Sequence, residues 1–209
     1  MDGNTPKSSR GDTRRQCILE VARELFLQEG YAAASMSAIA ARVGGSKATL
    51  YTYFPSKEDL FAAIIEAECQ QGAAPALDEL RRGGEVAVLL TRAGRRFLRF
   101  LMSEKVLALH RLVIAESIRF PELGRAFYEA GPQRGQRLLA EFMEGAMQAG
   151  QLRREDPLVA AEQFVELCKS GLHQRRLWNV AGEPTDAQIE ANVARAVRTF
   201  MCAYGPEPS

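Results

Sequence analysis

From Asp12 onward the apolar residues of this 209-residue chain recur at spacings of three and four, and no segment sustains an alternation. A period near 3.6 lays a buried stripe along a helix, whereas a strand needs a period of two. The pattern predicts an all-α fold. Ile18, Val21, Ala22, Leu25 and Phe26 mark a first helix that Gly30 ends. Met36, Ile39, Ala40 and Val43 mark a short second run, and Leu50 with Phe54 a third, stopped by Pro55. Ser56 can cap the helix that follows. Longer helices are predicted at 57–70, 85–102, 105–119, 121–130, 133–149, 156–179 and 185–203. Their stops are Gly83-Gly84, Pro121, Gly131-Pro132, Gly150, Asp156-Pro157, and Gly182 with Pro184. Asp156 is placed to cap a helix with Pro157 in its first turn, and Thr185 or Asp186 to cap the last one.

Composition narrows the classes of function. An apolar share of 46% and a charged share of 25% are globular values, and a net charge of +1 announces no nucleic-acid or membrane partner. The longest uncharged stretch, Gly30–Ala41, is too short and too polar to span a bilayer. The opening MDGNTPKSSRGD holds no apolar signal-peptide segment, and residues 1–11 read as a flexible polar arm. Cys17, Cys69, Cys168 and Cys202 have no paired spacing, so they are expected to be reduced and mostly buried thiols. A soluble cytoplasmic protein is expected, with a first helical module over 12–70 and a second helical domain over 71–209.

Residues 35–54, SMSAIAARVGGSKATLYTYF, carry the pattern of a helix-turn-helix. Ser35 is expected to cap the first short helix, Gly44 to supply the left-handed conformation of the turn, and Ser46 to cap the second helix. With Leu50 and Phe54 turned to the core, Lys47, Ala48, Thr49, Tyr51, Thr52 and Tyr53 are left outward. Such a small, hydroxyl-rich face with a cation at its start fits a major groove. Lys47 is expected to touch base edges or phosphate, with Ser37 a second candidate at the groove edge. Thr49, Tyr51, Tyr53 and Lys57 are expected to hold phosphates, and Ser35 to add another. Residues 1–57 hold eight Lys and Arg against five Asp and Glu, a modest phosphate footprint that a dimer would double. Lys7, Arg10, Arg14 and Arg15 could bring an arm to the minor groove or form a solvated tail.

The run from Arg14 to Leu60 resembles the DNA-binding domain of TetR-type transcriptional regulators. The resemblance rests on Leu25-Phe26 with Gly30-Tyr31, Ile39-Ala40, Gly44, Ser46, Thr49-Leu50-Tyr51, Tyr53-Phe54, Lys57-Glu58 and Leu60. Gly45 departs from it, since the family usually places a valine after the turn glycine, and Ala48 replaces a common glycine. Farther on, His110–Glu116, Arg119–Leu123, Phe127–Pro132 and Gly150–Arg153 with Asp156-Pro157 resemble the C-terminal domain of AefR-like members. The resemblance implies a regulator, most simply a repressor, without catalysis or cofactor. It further implies a homodimer acting on a pseudo-palindromic double-stranded DNA operator and released by a small-molecule effector. Recognition helices about 34–36 Å apart would engage successive major grooves.

Two other classes of function compete with this one. A helical protein-interaction adaptor would use the same helices without DNA. An enzyme would need convergent catalytic groups or a cofactor loop, and Gly44-Gly45-Ser46-Lys47 has neither the spacing nor the preceding strand of a phosphate loop. His110 and His173 look too isolated for a metal site, even with Cys168 nearby, and no local feature marks a thiol as activated. Arg92, Arg95, Arg96 and Arg99 stripe one helix face, either solvated or serving an anionic effector or an interdomain contact.

Two further sets of residues are expected to serve the regulator. Phe97, Leu101, Leu109, Leu112, Val113, Phe142 and Met147 could line an apolar effector pocket, with His110, Arg111 or His173 as orienting polar groups and Trp178 close by. Phe164, Leu167 and Leu172 with Ile189, Val193, Val197, Phe200 and Met201 exceed what a lone helical hairpin could bury. They are expected to meet a second copy in a four-helix interface.

Overall fold

The computed structural model describes residues 10–206, in which helices are joined by short turns and loops, with no strand among them. The first helix, α1 (Arg10–Ala33), already includes Arg10 and Gly11, while Lys7 and the rest of the expected arm lie outside the described residues. Gly30 breaks α1 as expected, at φ 82° and ψ 162°, and a single further turn runs to Ala33. Next come α2 (Met36–Val43), α3 (Lys47–Tyr53) and α4 (Lys57–Gly72). None of the helices among the described residues is long and apolar enough to cross a membrane.

Two compact units emerge. One comprises the described residues up to Ile65 with Leu112–Phe127, and the other Glu66–Arg111 with the residues from Tyr128 onward. The first thus ends inside α4 rather than at residue 70, and it recruits a later segment that the sequence pattern assigned elsewhere. Aromatic packing explains the recruitment. Tyr31, only 1% exposed, sits among Phe26, Phe61 and Phe120, with ring centroids 5.4, 5.9 and 5.4 Å away. Ile18, Ala22, Leu25, Ile39, Leu50, Leu60 and Ile64 complete that core.

The second unit contains α5 (Ala74–Leu80), α6 (Val86–Leu101), most of α7 (Glu104–Glu116), α9 (Arg134–Gln148), α10 (Pro157–Lys169), α11 (His173–Leu177) and α12 (Asp186–Tyr204). Between α7 and α9 lies α8 (Pro121–Tyr128), followed by a wide π turn over Glu129–Gln133 that contains Pro132. Its core packs α6 against α10 and α12. Gly94 permits this approach, because a Cβ there would meet Val193 at 3.0 Å, Cys168 at 3.4 Å and Phe164 at 3.6 Å. Buried Asn192 donates to the Cys168 carbonyl at 2.7 Å, which satisfies an amide inside the core.

Three helical expectations change. Helix α5 had no periodic stripe long enough to be seen. The helix expected over 105–119 stops at Glu116. The helix expected over 156–179 breaks at Gly171, whose φ of 79° allows the chain to turn into α11. The caps follow the sequence reading: Asp156 accepts from Leu158 N and Val159 N, and Thr185 forms a reciprocal capping box with Gln188.

His110 and His173, apart in sequence, meet in this second unit with Nδ1 and Nε2 3.2 Å apart. Burial lowers the His110 pKa to about 4, helped by His173 and Lys169, and burial lowers His173 as well. Among the described residues no third His, Cys, Asp or Glu joins a metal-holding group. The cysteines are less uniformly buried than expected. Cys168 is buried and Cys202 exposed, and burial pushes the Cys168 and Cys69 thiols up to about 12 and 11.

Two measurements check this packing. Gly94→Leu should cost about 1–3 kcal/mol by forcing side chains apart at the α6–α10–α12 contact, read as a lower urea midpoint. An imidazole with a depressed folded pKa binds fewer protons folded than unfolded, so its contribution falls as pH drops below 6.5 and levels off near the folded value of about 4. His110→Gln should therefore flatten the stability–pH curve over that window, by on the order of 3 kcal/mol at its acid end. An unchanged slope would place the titrating groups elsewhere.

Candidate nucleic-acid interface

The helix-turn-helix is built from the turn outward. Ser35 accepts from Ala38 N at 3.1 Å and starts α2. Gly44 takes the left-handed conformation, φ 71° and ψ 43°, and its N–H returns to the carbonyls of Ala40 and Ala41. A side chain at Gly44 would be strained there by its own backbone, whatever the space around it. Ser46 then caps α3, accepting from Thr49 N at 3.0 Å and sharing a 2.8 Å hydroxyl contact with Thr49. Leu50 and Phe54, each 3% exposed, pin α3 to the core.

That anchoring decides what faces water. Ser35, Ser37, Ser46, Lys47, Ala48, Thr49, Tyr51 and Thr52 are exposed, and Tyr53 is half-buried. The Lys47 ammonium lies 5.7 Å from the Tyr51 ring centroid, so the cation at the helix start rests on an aromatic face. Thr52 donates to the Ala48 carbonyl and is tied to its own helix.

Lys57 stands differently from the expectation of a phosphate-holding residue. Its ammonium donates to the Tyr31 carbonyl and lies 4.1 Å from the Tyr31 ring centroid. Burial lowers its pKa, against the raising influence of Glu58, Glu116 and Glu122. Tyr31 in turn donates to Glu58 at 3.1 Å, and burial followed by the Glu58 charge pushes the phenol well above its usual range. Lys57 is therefore already occupied in holding the start of α4 to the end of α1.

Two arginines of α1 matter more than their sequence position indicated. A Cβ at Gly45 would lie 2.6 Å from Arg14 Nη2, so the valine usual in the family is replaced by an arginine resting over a bare backbone. Arg15 covers the Phe54 ring at 5.3 Å. The missing side chain at Gly45 was the available signal for the first; nothing in the spacing marked the second.

The residues expected at an effector pocket are scattered by environment. Leu101 is buried, and Phe97 and Phe142 pack against the core of the second unit. Arg111 donates to the carbonyls of Leu177 and Arg176, at 2.9 and 2.7 Å, and joins Arg176 around Glu104. Trp178, expected close to the pocket, is 66% exposed at the end of α11. Five residues expected at a subunit interface, Phe164, Ile189, Val193, Val197 and Phe200, are consumed by the chain's own core; only Leu167, Leu172 and Met201 keep part of their surface outside it. The hairpin of α10 and α12 closes on α6, a partner that periodicity alone could not supply.

Known proteins agree with this geometry. Residues 18–64 match the family described as bacterial regulatory proteins, tetR family, and residues 88–206 match the AefR-like transcriptional repressor C-terminal domain. The HTH-type transcriptional activator FasR of Mycolicibacterium smegmatis is 38% identical over 88 residues, 42% of this chain but only 36% of that protein. The flavonoid-responsive regulator FrrA is 36% identical, with a TM-score of 0.76 over 94% of this chain and 99% of that one. A TetR-family regulator from Mesorhizobium loti is 28% identical, with a TM-score of 0.80 over 95% of this chain and 100% of that one. The chain belongs to the TetR family of bacterial transcriptional regulators, with an AefR-like C-terminal domain.

Proposed function

We propose that this regulator is a cytoplasmic homodimer that represses by binding a pseudo-palindromic operator and leaves it when a small apolar or amphipathic effector binds. The observation that carries the reading is α3, capped by Ser46, pinned by Leu50 and Phe54, and presenting Lys47, Ala48, Thr49 and Tyr51 to solvent. Hydroxyls and a lone cation at a helix start suit phosphate positioning with base contact at the N-terminal end. Ser37 and Ser35 lie exposed at the preceding helix and cap, and are assigned to the groove edge.

Effector response is assigned to the second unit. FrrA is flavonoid-responsive by name, and the second unit holds Phe97 and Phe142, packed against its core, together with the paired imidazoles of His110 and His173 and the guanidinium of Arg111. An effector shifts the regulator only as far as it prefers the non-binding state. The dimer is assigned to the outward side of α10 and α12, where Leu158 is 43% exposed and Leu167, Leu172 and Met201 are partly so.

Selection of bound duplexes from random DNA, followed by a screen for small molecules that release them, tests the reading as a whole. No enriched sequence would end it. In such duplexes Lys47→Ala should reduce the salt slope of binding by about one unit and relax base preference. Lys57→Ala should change that slope less and instead lower the melting temperature, since its ammonium is engaged by Tyr31. The reverse pattern would return Lys57 to the phosphate contacts. Leu167→Arg should yield monomers by light scattering and lose operator binding together; a wild-type monomer at micromolar concentration would reject the dimer.

A further inference from the structure

The arginine stripe of α6 is not a simple solvated face. Arg92, Arg95, Arg96 and Arg99 converge with Arg82 on an open groove of about 790 Å³. Phe100 also lines it, and the backbone of Gly72 approaches so closely that a Cβ there would fall 2.0 Å from that ring. Glu79 is the only carboxylate among the lining residues.

The acids around the groove do not satisfy the guanidinium groups. Glu79, its side chain 6% exposed, is shared by Arg96 at 2.8 Å and Arg82 at 3.4 Å. Asp186 accepts from Arg99 Nε and Nη2 at 3.0 and 2.8 Å, and Glu190 pairs with Arg95 Nη1 at 3.2 Å. Three carboxylates thus face five cations. Arg92 has no partner among the described residues, and Arg95 Nε is buried without a hydrogen-bond acceptor. A buried N–H lacking an acceptor is costly, and like charges gathered on one concavity repel.

We propose that this groove binds a small multivalent anion, a molecule bearing at least two phosphate or carboxylate groups. Guanidinium forks match both oxyanions in bidentate geometry, and their fixed planes hold a ligand in register. The pairs to Asp186 and Glu190 hold Arg99 and Arg95 in place while leaving other N–H groups to donate. Pro75 and Phe100 give the carbon body of such a ligand an apolar wall. This site goes beyond the apolar effector proposed above, and neither family match assigns it.

Calorimetric titration of the full-length protein at low ionic strength, with inorganic pyrophosphate and with citrate as separate probes, tests the assignment. At least one probe should bind saturably and weaken as salt is added. Arg92→Glu should lower that affinity by about tenfold or more, and the milder Arg92→Gln by less. Arg154→Glu, on an exposed turn, and Lys47→Glu, on the recognition helix, should leave it within about twofold. Pyrophosphate alone binding points to a phosphorylated ligand, citrate alone to a polycarboxylate, and both to a site reading charge without regard to geometry. Absence of saturable binding by either probe overturns the proposal. So does binding that survives Arg92→Glu, or that falls equally in the Arg154 and Lys47 variants.

Discussion

The first unit depends on how Tyr31 is held. A helix-turn-helix exposes most of α3 by design, so few residues remain to fix its supporting helices. Tyr31 follows the Gly30 break and meets Phe26, Phe61 and Phe120. Its hydroxyl reaches Glu58 and its carbonyl receives Lys57. One side chain and one peptide group therefore tie the end of α1 to the start of α4 and to the segment around Phe120. An aromatic cluster of this kind supplies apolar burial and edge-to-face contacts together. Its polar edge is satisfied by two adjacent residues of α4, so burying a phenol here does not leave an orphan group.

The local grammar of this fold was legible because it is written in neighbouring residues. Ser35, Gly44, Ser46, Asp156 and Thr185 act on backbone groups within four positions, and their chemistry can be read without knowing what packs against them. The outward face of α3 was legible for the same reason, since Leu50 and Phe54 fix its rotation. Contacts across long sequence distances were not. Periodicity shows that α10 and α12 each carry an apolar stripe, but not that α6 covers it through Gly94. Phe164, Val193 and Phe200 therefore read as a surface for a second copy, although the same chain already buries them. His110 and His173 failed in the opposite direction, looking isolated at a separation of 63 positions while their rings touch.

Lys57 shows how a remote partner can engage a residue whose type suggests another role. A lysine at the start of a helix following a recognition helix reads naturally as a phosphate contact. Yet a flexible four-carbon stem reaches whichever acceptor is nearest, and Tyr31 offers both a carbonyl and a ring. Gly45 is the complementary case. It departs from the family's usual valine, and Arg14 occupies the vacated space and brings a guanidinium to the turn.

These placements bear on how much affinity one copy could generate. Within α3 the sole cation is Lys47, and with Lys57 turned to Tyr31 the remaining positive charge near the motif comes from Arg14, Arg15 and Arg42. Each phosphate neutralised releases roughly one counterion, so a single copy touching only a few phosphates stays weak at physiological salt. Two copies fixed to one another double the contacts. They also make the second engagement intramolecular, so that the spacing between recognition helices becomes a determinant of affinity. In the proposed dimer a modest surface thus suffices. A small change in spacing then forfeits one of the two engagements, and an effector need not touch α3 to release the DNA.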